Sequence, residues 1–372
     1  MDTVTLVLAG DVMTGRGIDQ VMPEPLSPVL HEFWVRDARE YVRLAESING
    51  AIRTPVSMDY IWGDALKEME SLGADARIIN LETAVTRGGA PSPAKRIHYR
   101  MNPAHVGSLT AARIDACSLA NNHVLDWGER GLADTIATLH AAGIQTAGAG
   151  ADLRQAQAPA IVPLRNSARL LLFALATPTC GVPPEWQARE GHAGIAFLPR
   201  LDDEAAQAVA ERVRQHRCAG DIAVISLHWG ENWVDEVPAE QRWFARRLIG
   251  LGAADVVHGH SSHHPLPIEV IEGKLVLHGC GDLVNDYEGI PPHGNRRSDL
   301  GCLYGVTLDV ATGRLVRLEI VPLQLRRFRL SHPQPSTSQW LYRTLSQECL
   351  AMGTRLDIGA KGHWHLHWGQ AA

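Results

Sequence analysis

Residues 116–128 are ACSLANNHVLDWG, in which a short apolar run stops at a polar turn that contains histidine. The run Ala116–Ala120 has the length of a buried strand. After Gly128, leucine and isoleucine recur at helical spacing as far as Gly143, which is a typical residue to end a helix. This order of strand, polar turn and helix predicts a layered α/β protein.

Five further apolar runs also end at polar residues that can bind metals or carry protons. They are Thr5–Ala9 before Gly10-Asp11, Ala76–Ile79 before Asn80-Leu81-Glu82, Ile222–Leu227 before His228-Trp229-Gly230, Asp255–His258 before Gly259-His260, and Leu275–Leu277 before His278-Gly279. Open α/β sheets place their ligands beyond the carboxyl ends of the strands. We therefore expect these polar residues to meet at one sheet edge.

Composition excludes several classes of protein. The 372 residues are 45% hydrophobic and 20% charged, which suits a folded chain and not a disordered one. The net charge of −6 is spread without long runs, so nucleic acid is not an expected partner. No stretch reaches about 18 consecutive apolar residues, so we expect no integral membrane segment and a cytoplasmic location.

Two other segments support predictions about organisation. Residues 28–48 form an amphipathic stretch with Phe33 and Trp34, which predicts packing on the sheet, with a lid over the site as the alternative. Composition changes near residue 330, so we expect a main domain at 1–330 and an appendage of a helix and a closing strand at 331–372. The alternating His363, His365 and His367 of that strand indicate a solvated edge, with metal capture as the alternative.

The strand ends together supply two carboxylates, one carboxamide and three histidines. Each residue alone has a structural explanation, such as a helix cap for Asp11 or an ion pair with Arg87 or Lys95 for Glu82. As a set, imidazole and carboxylate groups are typical ligands of Mn, Fe or Zn. Five or six ligands exceed the need of one tetrahedral ion, so two divalent transition-metal ions, about 3.5–4 Å apart, are the better interpretation.

The order of these motifs resembles the CapA family of poly-γ-glutamate capsule biosynthesis proteins, within the calcineurin-like metallophosphoesterase superfamily. The resemblance covers residues 3–325 and rests on five blocks: Gly10-Asp11-Val12-Met13, Asn80-Leu81-Glu82-Thr83, residues 118–128, His228-Trp229-Gly230 and Gly259-His260-Ser261-Ser262-His263. It implies a calcineurin-like four-layer αββα sandwich with two mixed β-sheets.

The resemblance also implies roles for single residues. Asp11 corresponds to the first-motif ligand and Glu82 to a bridging carboxylate, and the remaining metal ligands are Asn122, His228, His260 and His263. His123 is then the catalytic proton donor. We expect Asp126, three residues later, to orient its ring and raise its pKa, with a cross-brace of the turn as the alternative.

Three departures from the superfamily pattern bear on activity. Met13 replaces a histidine, so one metal is expected to lack a ligand. Glu82 replaces an aspartate, and two residues rather than one separate His260 from His263. These changes argue against phosphomonoesterase activity, although they resemble CapA usage.

Residues near the motifs are candidates for holding an anionic substrate group, with plain surface charge as the alternative: Arg16, Lys95, His98 and Arg100. Others are expected to fix loops or support the ligands: His258, His264, His278, Asp282, Asn285 and Asp286.

The leading functional hypothesis is metal-dependent hydrolysis of an ester or amide, either a phosphoester or a γ-glutamyl bond, by a hydroxide bound between two metals. Its substrate would be a small molecule or a glutamyl polymer. The alternatives are a non-enzymatic component of poly-γ-glutamate (capsule) biosynthesis and a scaffold that binds a ligand without chemistry.

Overall fold

The computed structural model describes residues 2–291 and 294–369 and has a mixed α/β fold. The α-helices of this described part are α1 (Gly17–Val21), α2 (Arg39–Asn49), α3 (Ala65–Ser71), α4 (Gly107–Ala111), α5 (Gly128–Ala141), α6 (Leu153–Gln157), α7 (Asp203–His216), α8 (Ala239–Gly250) and α9 (Pro335–Leu350). The strands are β1 (Thr3–Val12), β2 (Ala76–Leu81), β3 (Ala84–Val85), β4 (Arg100–Met101), β5 (Ala116–Ser118), β6 (Gln145–Ala147), β7 (Ala149–Gly150), β8 (Ala160–Pro163), β9 (Arg169–Ala176), β10 (Gly194–Ile195), β11 (Ile222–His228), β12 (Val256–His260), β13 (Ile268–Ile271), β14 (Lys274–Leu277), β15 (Asp282–Val284), β16 (Leu300–Asp309), β17 (Leu315–Arg326), β18 (Arg329–Ser331), β19 (Thr354–Ile358) and β20 (Trp364–Trp368).

Two large mixed sheets contain most of these strands. The first has the order β19-β20-β17-β16-β1-β2-β5-β6, with β15 also paired to β1 and β18 to β17. The second has the order β13-β14-β12-β11-β9-β8. Strands β1, β2, β5 and β6 run parallel in the first sheet, and β9, β11, β12 and β14 run parallel in the second. The mixed α/β class predicted from the sequence is therefore confirmed.

All six predicted strand runs are strands in the structure, namely β1, β2, β5, β11, β12 and β14. The predicted helix after Gly128 is also present as α5. These runs could be predicted because they are apolar throughout, as strands of parallel sheets buried on both faces are.

Side-chain alternation along β9 shows how the sheets pack. Leu170 and Leu172 belong to the core shared by both sheets, whereas Leu171 and Phe173 belong to a second core. That second core includes Val209 of α7 and Phe244 of α8. The second sheet therefore has one face against the first sheet and the other under two helices, and β1 lies in contact with β12 at their junction.

The segment before α2 differs from the prediction. Residues 22–38 contain no α-helix, and Val29 pairs with Asp37 in a hairpin-like turn. Phe33 is 85% exposed and Trp34 is 63% exposed, so the prediction that these two aromatic residues pack on the sheet is wrong. The amphipathic pattern is helical only from Arg39 onward, beyond Pro23, Pro25 and Pro28, because proline disfavours a helix interior.

The C-terminal segment is built into the first sheet. Strand β20 pairs with β17 through Glu319–His365 and Ile320–Trp364, and Leu341 of α9 lies in the shared core. The domain division at residue 330 stays a prediction, and residues 370–372 of the expected appendage lie outside the described residues. None of the helices in the described part is long and apolar enough to cross a membrane.

Candidate metal centre

The polar strand ends of the two sheets meet at one place. The first sheet contributes Asp11 at the end of β1, Glu82 just after β2, and Asn122 and His123 after β5. The second contributes the last residues of β11 and β12, His228 and His260, which lie side by side in register, and His263 from the following turn. These residues meet because the strands that carry them are parallel within each sheet, but they come from the ends of two sheets and not from the single sheet edge that was predicted.

Asp11 lies at the middle of the cluster and is fully buried. Asn80 Nδ2 donates to its Oδ1 at 2.7 Å, and the backbone N–H of Ser261 donates to its Oδ2 at 3.2 Å. Gly10 permits this geometry, because a Cβ there would lie 1.9 Å from the carbonyl oxygen of Gly281. Asp11 thus connects the ends of both sheets.

Two groups of side chains are close enough to bind a metal ion, and Asp11 belongs to both. In each group the ligand atoms lie within 4.8 Å of one another: Asp11, His228 and His260 in one, and Asp11, His263 and Asp282 in the other. The shared position therefore falls to Asp11, whereas the resemblance gives the bridging role to Glu82. The role of Glu82 stays a prediction.

Glu82 faces the cluster with one oxygen that has no partner. Its Oε2 accepts from Asn80 Nδ2 at 3.3 Å, but its buried Oε1 accepts no hydrogen bond from any described residue. That Oε1 lies 3.8 Å from Nε2 of His123 and 3.8 Å from Nε2 of His228. A buried carboxylate oxygen without a partner is costly unless a cation or proton satisfies it.

The histidines of the second sheet are held by a chain of contacts. His228 Nδ1 and His260 Nδ1 are 2.7 Å apart, and His228 Nε2 lies 3.2 Å from Asn122 Oδ1. His260 Nε2 lies 2.7 Å from Ser226 Oγ. Burial lowers the pKa of both His228 and His260, which keeps the rings neutral as metal ligands must be.

His263 occupies a strained turn beside a carboxylate. Its φ is +60° and that of Ser261 is +93°, a region that residues other than glycine rarely adopt and that concentrates at functional sites. His263 Nδ1 donates to Asp282 Oδ1 at 2.7 Å, and Trp233 stacks on the ring. Burial lowers the pKa of His263, but the charge of Asp282, the hydrogen bond to it and the charge of Asp11 together outweigh burial, and the net pKa is raised.

His123 and Asp126 form the predicted pair. The Nδ1–H of His123 donates to Asp126 Oδ2 at 2.6 Å, and the edge of the Tyr99 ring contacts the imidazole. The expected rise in the pKa of His123 is wrong. Burial, followed by the positive charge of Lys95, lowers that pKa well below its usual value, and burial raises the pKa of Asp126 to about 7. Asp126 orients the ring without making it more basic than usual.

Two acidic side chains of the cluster, Asp11 and Glu82, have raised pKa values because they are buried beside other carboxylates. Burial, followed by the charge of Asp282, raises the pKa of Asp11 to about 7. Burial and the neighbouring charges of Asp11 and Asp282 raise the pKa of Glu82 well above its usual value. Three buried carboxylates that repel one another, beside the neutral imidazoles of His228 and His260, form a donor set that fits divalent transition metals.

The four anion-binding candidates have different environments. Arg16 is buried between Glu32 and Asp286 and stacks on Tyr41 and Tyr99, so it is neither a surface charge nor an uncompensated cation. Lys95 lies over the ring of Trp186 and has no carboxylate partner among the described residues.

The remaining two candidates lie beside Trp127. Arg100 stacks on the Trp127 ring, with its guanidinium carbon 3.7 Å from the ring centre. The buried His98 donates from Nε2 to Ser92 O at 2.8 Å. Of the four candidates, the electrostatics favour Lys95, whose charge acts on Glu82, His123 and Asp126.

The three supporting histidines either contact groups outside the cluster or hold a cluster ligand in place. His258 Nε2 donates to Ala9 O at 2.9 Å, and its Nδ1 lies 3.1 Å from Ser226 Oγ, which in turn contacts His260. His264 donates to Val234 O, and His278 contacts Glu269. Their positions agree with the expectation that they fix loops.

Two residues of the cluster had no ligand role in the sequence analysis. Asn80 donates to both Asp11 and Glu82, and it receives a hydrogen bond from Asn121. Its position within Asn80-Leu81-Glu82 was the available signal. Asp282 was expected to fix a loop, but β15 pairs with β1 and brings its Cα opposite that of Asp11. No pattern in the sequence indicated that short parallel pairing.

The fold and this cluster define an α/β protein with a buried imidazole–carboxylate centre at the shared carboxyl ends of two sheets. The chain belongs to the family described as bacterial capsule synthesis protein PGA_cap, whose model matches residues 5–287. The resemblance to the CapA family is thereby confirmed.

Curated relatives agree with this membership. The chain is 45% identical over 356 residues to a Mycobacterium tuberculosis protein named "Probable polyglutamine synthesis accessory protein", covering 95% of this chain and 93% of that protein. It is 24% identical over 285 residues to the PGA biosynthesis protein CapA of Bacillus subtilis, covering 77% and 64%. It is 21% identical over 351 residues to the capsule biosynthesis protein CapA of Bacillus anthracis, covering 93% and 74%.

Proposed function

We propose that this protein is a metal-dependent hydrolase that cleaves an ester or amide bond, with a γ-glutamyl bond as the favoured substrate class. The observation that carries the proposal is the pair of buried ligand groups that share Asp11, together with the unpartnered Oε1 of Glu82. The names of the relatives, which refer to PGA and polyglutamine synthesis, support the glutamyl substrate.

The proposal includes the calcineurin-like four-layer sandwich. Two mixed sheets with one shared core support it, as do α7 and α8 on the outer face of the second sheet.

Two divalent ions, Mn, Fe or Zn, would be held by residues already described. They are Asp11, Glu82, Asn122, His228, His260 and His263, with Asp282 added by the structure. When bound, such ions polarise the scissile group and lower the pKa of a coordinated water. Met13, in the position of the missing histidine, is fully buried, with Sδ 3.6 Å from the Tyr287 hydroxyl. It supplies a thioether where a harder ligand would be expected.

The chain's own residues then have separate roles. Asp126 holds the His123 ring through Nδ1, which leaves Nε2 facing the Glu82 side of the centre. Because burial lowers the pKa of His123, its Nε2 carries a lone pair at rest, can take a proton from the attacking water and can then pass that proton to the leaving nitrogen or oxygen. The ammonium of Lys95 can bind a carboxylate of the substrate, because no described acidic residue pairs with it.

Metal content and turnover test the proposal on the same preparations. Untagged full-length protein, purified without chelator, is analysed by plasma mass spectrometry as wild type, His228→Ala and His278→Ala. His278 is the matched control, because it is equally buried but contacts Glu269 outside the cluster. We expect the metal content to fall by about two ions per chain in His228→Ala and to stay at the wild-type value in His278→Ala. Turnover of γ-glutamyl amides and phosphoesters should follow the metal.

A second candidate function is a non-enzymatic accessory role in polymer synthesis, and the printed name of the Mycobacterium tuberculosis relative favours it. Under this alternative the protein binds glutamyl polymer but releases no product. Polymer binding by metal-loaded protein without turnover on any substrate would support the accessory role and contradict the hydrolase.

A further inference from the structure

The side chain of Tyr287 lies beside the candidate metal centre. It follows β15, the strand that begins at Asp282, and its ring meets the His263 ring edge to face, with the ring centres 5.9 Å apart. On the other side, the hydroxyl of Tyr99 donates to the Tyr287 hydroxyl at 3.4 Å, and the Tyr99 ring contacts His123 edge to face. Tyr287 therefore lies between the side of the centre that holds His263 and the side that holds His123.

The hydroxyl of Tyr287 has only weak hydrogen-bond partners among the described residues. It donates to the thioether of Met13, with Oη 3.6 Å from Sδ, and it accepts from Tyr99 at 3.4 Å. Hydrogen bonds between a hydroxyl and an oxygen are normally about 2.5–3.0 Å long, and thioether sulfur is a weak acceptor. A substrate oxygen that carries negative charge is a much better acceptor, because charge-assisted hydrogen bonds are about twice as strong as neutral ones. The proton of Tyr287 is therefore free to bind such an oxygen.

Met13 connects this hydroxyl with a departure from the superfamily pattern, in which a histidine occupies position 13. An imidazole nitrogen is both a metal ligand and a good acceptor for a hydroxyl proton. The fully buried thioether of Met13 replaces it with a weak acceptor. The same change that removes a metal ligand thus leaves the Tyr287 hydroxyl without a strong partner.

The loop that carries Tyr287 fixes its backbone and leaves its side chain accessible. The backbone N–H of Tyr287 donates to Asn285 Oδ1 at 3.0 Å, and Asn285 Nδ2 donates to Asp282 Oδ2 at 2.9 Å. Tyr287 is only partly buried, whereas its two partners Tyr99 and Met13 are fully buried. A donor that is already held in place needs no reorganisation during a reaction, which makes it effective at stabilising a developing charge.

We propose that the Tyr287 hydroxyl is a catalytic hydrogen-bond donor to the substrate oxygen that gains negative charge during hydrolysis. In a γ-glutamyl amide this is the carbonyl oxygen, and in a phosphoester it is a non-bridging oxygen. The inference rests on the proposed hydrolase function and adds one residue to its machinery. Because the charge grows in the transition state, Tyr287 contributes to kcat more than to KM.

Binding of inorganic phosphate tests the donor without relying on turnover. Phosphate is tetrahedral and anionic, as the reacting group is in the transition state. Full-length protein loaded with Mn²⁺ is titrated with sodium phosphate by calorimetry, as wild type, Tyr287→Phe and Tyr60→Phe. Tyr287→Phe removes the hydroxyl and keeps the ring that contacts His263. Tyr60→Phe is the matched control, because its hydroxyl donates to Arg327 O outside the centre.

We expect Tyr287→Phe to weaken phosphate binding about 10–100-fold, since it removes one hydrogen bond to a charged group. Tyr60→Phe should bind phosphate as wild type does. Tyr287→Phe should also lower kcat about 100–1,000-fold, with little change in KM, on any γ-glutamyl amide or phosphoester that wild type cleaves. Its metal content, measured by plasma mass spectrometry, should equal that of wild type.

The outcomes separate this inference from the hydrolase function. Three results would overturn the role of Tyr287: phosphate affinity equal to that of wild type in Tyr287→Phe, phosphate binding undetectable in metal-loaded wild type, or metal lost from Tyr287→Phe. Weaker phosphate binding in Tyr287→Phe, in a protein whose wild type turns over no substrate, would instead contradict the hydrolase and confirm Tyr287 as an oxyanion-binding residue.

Discussion

The buried Arg16 provides a prediction that separates a structural role from substrate binding. Its Nη1 donates to Glu32 Oε1 at 2.9 Å and to the Tyr41 hydroxyl at 3.1 Å, and its Nε donates to Asp286 Oδ2 at 3.1 Å. The Arg16 side chain is 3% exposed and both carboxylates are fully buried. Arg16→Met keeps much of the apolar volume but removes the only cation of this trio.

The expected loss follows from the charges left behind. Breaking one buried ion pair by removing a single partner costs about 3–5 kcal/mol, because the remaining charge stays desolvated. Arg16→Met leaves two buried carboxylates without a cation. Glu32 still accepts a hydrogen bond from the Tyr41 hydroxyl, and Asp286 still accepts one from the backbone N–H of Gly17. We therefore expect the free energy of unfolding to fall by at least about 3 kcal/mol.

Denaturant unfolding followed by circular dichroism measures this loss. Arg39→Met is the matched control, because Arg39 pairs with Asp37 in the same region but its side chain is 59% exposed. Its effect should be far smaller and should diminish in added salt, whereas the effect of Arg16→Met should persist. If both variants unfold at the same denaturant concentration as wild type, Arg16 is not balanced by buried charge and its substrate-binding role regains support.

Two further predictions concern stability. Burial lowers the pKa of His105, but its contact with Asp19 outweighs burial, so the net pKa is raised. This contact therefore stabilises the fold fully below the unfolded pKa of about 6.5. The stabilisation is lost as the pH rises through the higher pKa of the folded state. The stability difference between wild type and His105→Gln should be larger at pH 6 than at pH 9 in urea titrations, and an equal difference would contradict this sign. Gly259→Ala should destabilise by about 1–3 kcal/mol or more, because its Cβ would lie 2.2 Å from the backbone oxygen of His278 and would force β12 from β14. Gly250→Ala, where nothing lies within 4 Å, should cause no such loss in the same thermal melts.

Sequence patterns predicted the strands that carry the site because burial on both faces leaves a nearly continuous apolar run. Val224 and Ile225 show the reason: consecutive residues of β11 lie in different cores, so neither can be polar. The polar residues that end such runs are then conspicuous, which is why Asp11, Glu82 and His228 could be located.

Other features depend on contacts between distant parts of the chain. The pairing of β15 with β1, which brings Asp282 beside Asp11, has only two register positions and no sequence signature. The lowered pKa of His123 reflects burial, which outweighs the effect of the neighbouring Asp126. The exposed Phe33 and Trp34 belong to a turn whose closure depends on the bond from Leu30 N to Arg36 O.

The hydrogen bond from Ser261 N to Asp11 Oδ2 joins residues 250 positions apart in the chain. Closing so large a loop has an entropic cost that local structure cannot offset, so this contact is expected to form late in folding. A ligand held there binds only the state in which both sheets have docked, and at 100 times its Kd it stabilises that state by about 2.7 kcal/mol. Exchange of a bound ion would therefore report how often the two sheets separate.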